Sequence, residues 1–214
     1  MSVQPRRQPA AHGQPASEAL GRVTSFSDGV FAIAITLLVL EVHEGPAGQG
    51  STLQDRLVEG WPSYLAFGLS FLVIGLMWLN HFRLLRHIAH LSSPGVLANL
   101  TLLATVSFLP FPTAVLAQHV ADRGSDATTA AAFYALACLG VSGSFFVLVE
   151  VIRRDGAQHR DKDTRARLGR LQVRGWFAPV AYVCAIAVSF FSPRLALALF
   201  VATPFLFVVE PLQQ

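Results

Sequence analysis

The chain has little charge. Of its 214 residues only 14% are Asp, Glu, Lys or Arg, while 53% are hydrophobic; an ordinary soluble domain carries roughly 25% charged residues. So few charges cannot clothe a soluble surface of this length. That deficit excludes a polar enzyme surface, a nucleic-acid-binding domain and a disordered chain, and it makes lipid the expected solvent. Lysine is almost missing: Lys162 is the only one, and the other 15 basic residues are arginine, a bias that fits a GC-rich bacterial genome. Cysteine is nearly absent too. Cys138 and Cys184 both lie inside apolar runs and lack the paired spacing of a zinc site or a disulfide framework, so both are expected as small packing residues. There is no Gly-rich phosphate loop, H-E-x-x-H or nucleophile elbow. His87, His90 and His119 are unclustered at helix ends. The expectation is a protein that is not an enzyme, with no cofactor, no fixed metal site and no nucleic-acid partner.

What is present is a set of long uncharged runs. No Asp, Glu, Lys or Arg occurs between Glu59 and Arg83, Arg86 and Asp122, Asp126 and Glu150, or Arg174 and Arg194. Each is long enough for a transmembrane helix, which needs ~20 mostly apolar residues. A shorter run, Arg194 to Glu210, contains Pro204 and is read as a further span. Pro110, Pro112, Pro179 and Pro204 are expected to kink helices, which a membrane bundle tolerates. The first apolar stretch is the awkward one. Only 12 uncharged residues, Gly29 to Leu40, lie between Asp28 and Glu41, and hydropathy alone would make them a buried or re-entrant segment. We read a span over about 24–42, with Asp28 facing protein. The fold class is then an all-α integral membrane protein of six transmembrane helices.

Loop arginines set the orientation. With both termini cytoplasmic, Arg6, Arg7, Arg22, Arg83, Arg86 and the eight basic residues from Arg153 to Arg174 lie inside, and only Arg56, Arg123 and Arg194 lie outside. The positive-inside rule favours this topology over its inverse. Residues 1–21, rich in Gln, Pro and Ala, are expected as a disordered cytoplasmic tail rather than a signal peptide, and 22–214 as the six-helix domain. The charged 153–174 loop reads as a solvated connector, with lipid headgroup contact as the alternative. Ser192-Pro193 marks a tight turn.

The first span concentrates the intramembrane polar groups. Charge in a span costs roughly 2.5–3.5 kcal/mol on insertion scales, so such residues usually face the bundle interior. At about 100° per residue Ile33, Leu37 and Leu40 share one narrow face, with Thr36 beside it and Asp28 well around the helix. Continuing the helix outward brings Glu44 onto the same face. Periodicity alone assigns the Ile33-Leu37-Leu40 line to a packing seam.

The stretch from Arg22 through Phe26-Ser27-Asp28 to Glu41 resembles the first-helix signature of the TMEM175 family of potassium channels, R-x-x-x-F-S-D followed by an apolar run. Further resemblance lies in Trp78-Leu-Asn80-His81, in Asn99-Leu and in Leu109-Pro110-Phe111. One departure is visible: relatives often carry two adjacent histidines where this chain has His81 followed by Phe82. The resemblance implies a homotetramer in a bacterial cytoplasmic membrane, its first helices lining a central pore for permeant K⁺. The TVGYG carbonyl filter of ordinary potassium channels is missing. Carried onto this chain, Ile33 forms the narrowest ring, Leu37 and Leu40 form further apolar rings, and Thr36 supplies a hydroxyl layer just outward of Ile33. Glu41 and Glu44 are candidates for cation attraction at the outer mouth, with Glu41 equally readable as an exposed helix-end carboxylate. Arg22, Ser27, Asp28, His81 and Asn99 read as a polar network pinning the first helix to the second and third; simple N-capping by Ser27 or Asp28 is the alternative. Trp78 either donates its indole hydrogen to that network or is a packed aromatic. Two other functions stay open: a proton-conducting or proton-coupled pathway using Asp28 and His81, and a non-conducting scaffold or intramembrane enzyme built on Asp28, His81 and Asn99.

Overall fold

A computed structural model describes residues 14–122, 124–155, 177–189 and 199. These residues form helices and connecting loops, with no strand among them. Helix α1 runs Gln14–Leu37 and tightens into a 3₁₀ turn, Leu38–Glu41. A short α2 follows at Leu53–Glu59, then α3 at Trp61–Leu85, α4 at Ser93–Phe108, α5 at Pro110–His119, α6 at Ser125–Arg154 and α7 at Phe177–Ser189. Four segments are long and apolar enough to cross a bilayer: Ser17–Glu41, Trp61–Leu85, Ser93–His119 and Ser125–Arg154. The shorter Pro179–Ser189 segment falls within the expected fifth span. The expected sixth span, most of the 153–174 loop, the Ser192-Pro193 turn and most of the N-terminal tail lie outside the described residues.

The third span is one crossing made of two helices, and its prolines explain why. Pro110 has no N–H to give the Val106 carbonyl, so α4 ends at Phe108 and the Leu109 N–H takes that carbonyl instead, at 3.1 Å. The chain resumes as α5, where the Thr113 N–H and hydroxyl both reach the Leu109 carbonyl, at 3.1 and 2.8 Å. The Val106 and Leu109 carbonyls at the break thus both keep donors.

Helix α6 is the hub, packing against α4, α5 and α7. Its core residues Tyr134, Cys138, Val141, Leu148 and Ile152 are almost wholly enclosed. Helix α1 sits at the side of the bundle, against α3 and α4. Its packed face is Ser27, Phe31, Ala34 and Leu38, the i, i+4, i+7, i+11 spacing of one helical stripe. Between α1 and α3 the chain passes outside the spans through α2, which the sequence did not announce. Thr52 caps it: its hydroxyl accepts from the Asp55 N–H while its own N–H donates to the Asp55 carboxylate at 2.9 Å, a reciprocal box. Those bonds hold the Asp55 carboxyl below its ordinary pKa.

Candidate functional site

The first helix has two unlike sides. On the packed side a directional chain of hydrogen bonds crosses three helices. The Ser27 hydroxyl donates to the Val23 carbonyl at 2.8 Å, as a serine within a helix commonly does. With its proton committed, the Ser27 oxygen accepts from the Asn99 amide of α4 at 2.9 Å. The Asn99 carbonyl oxygen therefore faces α3, where His81 Nε2 lies 2.7 Å away. The donor order makes Nε2 the donor, and Nδ1 is buried with no hydrogen-bond partner among the described residues. Ser27, Asn99 and His81 are all enclosed, and the Phe31 ring lies against the imidazole with centroids 5.4 Å apart.

Asp28 makes a separate contact. Its carboxylate accepts the indole N–H of Trp78, one turn from His81 on α3, at 2.8 Å. Both uses weighed for Trp78 are present: its indole donates to Asp28 and its ring packs on Phe82. Phe82 stacks on Trp78 with ring centroids 5.8 Å apart, and the Arg86 guanidinium lies over the Phe82 ring, 5.4 Å from its centroid. Arg22 joins neither group: it is exposed and makes no hydrogen bond or ion pair among the described residues. It lies three helical turns below Ile33 on the same side of α1.

The other side of α1 is apolar and uncovered. Ile33 is 60% exposed and Leu40 66% exposed, with Leu37 also open. Phe26 continues this line toward the N-terminal end of α1; in the sequence it stood only as part of the motif, although its spacing of seven from Ile33 puts it on the same stripe. Thr36 is exposed beside the line and donates its hydroxyl hydrogen to the Ile33 carbonyl at 2.9 Å.

The outer end departs from expectation. The helix does not run on to Glu44: after the 3₁₀ turn ending at Glu41 the backbone is extended at Val42. The cause is the sequence that follows, His43-Glu44-Gly45-Pro46, whose groups are bonded elsewhere. The His43 N–H donates to the Ser63 hydroxyl at 3.1 Å, and the Gly45 N–H to the Arg56 carbonyl at 2.7 Å. Glu44 pairs with Arg56 at 3.1 Å, so its charge is partly neutralised. Glu41, whose carboxylate makes no ion pair among the described residues, remains at the end of the first span.

Sequence inspection missed one polar cluster. Ser70 on α3 meets the Thr113 hydroxyl at 2.7 Å and the Tyr134 hydroxyl at 3.0 Å, tying α3, α5 and α6 together inside the membrane. Its members are 43 and 64 residues apart in sequence, so no local spacing could reveal it. The only signal was the presence of isolated hydroxyls in apolar runs. Among the described residues no group of three or more His, Cys, Asp or Glu side chains could hold a metal ion.

Comparison with known proteins follows the first three spans. The family model described as endosomal/lysosomal potassium channel TMEM175 matches residues 22–110, which contain every site residue named above except Thr113 and Tyr134. A protein from Streptomyces collinus named as a potassium channel is 36% identical over 179 residues, covering 83% of this chain and 86% of that relative. The crystal structure of a lysosomal potassium-selective channel TMEM175 homolog from Chamaesiphon minutus superposes with a TM-score of 0.80 at 35% identity, over 89% of this chain and 97% of that one. The cattle protein, named as the endosomal/lysosomal proton channel TMEM175, is 27% identical over 205 residues; the match takes in 88% of this chain and 42% of the longer relative. Sequence identity over matched length and a common fold make the chain a member of the TMEM175 family, a family of multi-pass ion channels and not of enzymes.

Proposed function

We propose that the protein is a cation channel with modest selectivity for potassium, a homotetramer in which four copies of α1 surround a central pore. In this reading each subunit has six spans, both termini are cytoplasmic, and the assembly sits in a bacterial cytoplasmic membrane. The observation that carries it is the two-sided first helix. One side is held to the subunit by buried hydrogen bonds. The other side leaves Ile33, Leu37 and Leu40 exposed among the described residues, in a family whose bacterial relatives are named potassium channels.

The chemistry follows from that stripe. Four Ile33 side chains around an axis make the narrowest ring, and Leu37 and Leu40 repeat it outward over ~10 Å of helix rise. An apolar ring that narrow empties of water unless it widens, which is how such constrictions gate. An ion that passes must shed part of its hydration, and the larger K⁺ sheds water at lower cost than Na⁺. Thr36, its hydrogen held by the Ile33 carbonyl, offers oxygen lone pairs beside the ring. Selection of this kind is modest, since no carbonyl cage replaces the full hydration shell. Glu41 is the carboxylate placed to draw cations to the outer mouth, while the Glu44–Arg56 pair makes Glu44 the weaker contributor. The Ser27–Asn99–His81 chain and the Asp28–Trp78 bond hold α1 against α3 and α4, setting how far each Ile33 stands from the axis. The test is potassium flux from liposomes carrying the purified protein. Ile33→Asn should raise flux and weaken discrimination against Na⁺; flux unaltered by that substitution sinks the pore assignment.

A second reading, proton conduction, is favoured by the buried Nδ1 of His81, which has no hydrogen-bond partner among the described residues, close to the Asp28–Trp78 pair, and by the name of the cattle relative. It predicts a pH-driven flux that Asp28→Asn abolishes while substitutions of Ile33, Leu37 and Leu40 do little.

A further inference from the structure

Helix α2 is wrong for water. It buries no residue of its own, yet it carries Leu53, Leu57 and Val58, with Leu53 58% and Val58 68% exposed, and it hands over at Gly60 to the equally open Trp61. At about 100° per residue Leu53, Leu57 and Val58 fall on one side, with Gln54 the one polar residue among them, and Asp55, Glu59 and Arg56 on the other; Trp61 opens α3 just beyond the Gly60 cap. The polar side is already engaged: Asp55 closes the Thr52 cap and Arg56 pairs with Glu44. The apolar side is uncovered among the described residues.

Its position says what covers it. Helix α3 begins at Trp61, and its 25 residues rise ~37 Å, more than the ~30 Å hydrocarbon core. The one-residue link at Gly60 therefore places α2 in the headgroup zone. There an amphipathic helix lays its apolar side into the acyl boundary, and tryptophan marks the same level. The surface is continuous with the membrane-facing start of α3.

From these observations we infer that α2 is an interfacial helix whose Leu53–Leu57–Val58 side is seated in the outer leaflet lipid, clamped by its polar side to the chain leaving α1. The clamp is close-fitting. A Cβ on Gly45 would stand 2.5 Å from Glu59 Cβ and 3.0 Å from the Arg56 carbonyl, and one on Gly60 would meet the His43 carbonyl at 2.8 Å and the Tyr64 hydroxyl at 2.9 Å. Only glycine lets the two strands of chain approach this far. The Gly45 N–H to Arg56 carbonyl bond and the Ser63 contacts with His43 complete it. Movement of α2 with the lipid surface is therefore passed to the outer end of α1, a consequence for conduction that rests on the proposed pore.

The test uses the full chain with Cys184→Ala, reconstituted in liposomes of phosphatidylcholine and phosphatidylglycerol, with a nitroxide on Leu57→Cys or on Glu59→Cys and Leu53→Cys as a second apolar site. Collision with oxygen, which concentrates in lipid, is compared with collision with a water-soluble nickel chelate. Labels at 57 and 53 should show an oxygen-to-nickel ratio several-fold above the label at 59. Equal ratios at 57 and 59 mean an aqueous face and overturn the inference. A label at 57 shielded from both reagents means a protein partner, such as a neighbouring subunit, and overturns it too. None of these readouts depends on conduction, so failure here and failure of the channel reading are told apart; a lipid-seated α2 in a protein that passes no K⁺ would leave only the link to the pore without support.

Discussion

Helices α1 and α6 are both long, apolar and able to cross a bilayer, yet their residues do different work. Half of the most apolar window of the Ser125–Arg154 segment is buried inside the subunit, 50% against 22% for Ser17–Glu41. In α6 the apolar residues are core: Leu148 and Cys138 are fully enclosed between neighbours on three sides. Among the described residues, the Ser27–Phe31–Ala34–Leu38 stripe of α1 is enclosed, while the equally apolar Ile33–Leu37–Leu40 stripe is exposed. Lipid gives no hydrophobic push between helices, so a helix at the edge needs packing and hydrogen bonds to stay in place. Ser27 and Asp28 supply such bonds, to Asn99 on α4 and Trp78 on α3.

The contrast is broken most severely from the α6 side. Leu148→Ala should leave a cavity in the packed hub and cost about 2–5 kcal/mol, whereas Leu40→Ala, on the open stripe of α1, should leave thermal stability of the detergent-solubilised protein nearly unchanged. Equal losses would mean the open stripe is packed as a core. Next in size, Asn99→Ala strands the Ser27 oxygen and the His81 Nε2 hydrogen, each worth about 1–3 kcal/mol when buried and unsatisfied. Lowered stability with altered flux is expected, and a neutral result would show that the Ser27–Asn99–His81 chain does not hold α1. Third, Ile33→Asn should raise K⁺ flux on the order of tenfold, the effect of lowering a barrier by ~1.4 kcal/mol, with little change in melting temperature. The smallest effect belongs to Thr36→Val. It keeps the shape and removes the oxygen, so K⁺ over Na⁺ discrimination should fall severalfold at most while stability holds; bi-ionic flux ratios measure it.

The same contrast explains what could be read without coordinates. Runs free of charge delimit spans because charge in lipid is costly, and their bounds fall close to those of α3 and α6. The pieces that escaped are those fixed by distant partners or by a single backbone detail. Pro110 was legible as a kink but not as the end of one helix and the start of another. Glu44 fits an ideal wheel, but the helix stops before it because His43 and Gly45 are bonded to Ser63 and Arg56 instead. Arg22 belongs to the signature, but a motif lists neighbours in sequence; in space it stands apart from Ser27 and Asp28. The Ser70–Thr113–Tyr134 cluster joins residues from three spans, and α2 is too short for periodicity to speak.

The central claim is that the open stripe of α1 lines an aqueous path for K⁺. It is met most directly by placing a thiol at its narrowest level, Ile33→Cys, in a Cys184→Ala background where Cys138 is buried. A membrane-impermeant cationic thiosulfonate is then added to liposomes that are losing K⁺. The account predicts covalent modification at residue 33 and block of K⁺ flux, with no such block in the background protein. A thiol at residue 33 that reacts without affecting flux, or that never reacts while flux continues, contradicts it.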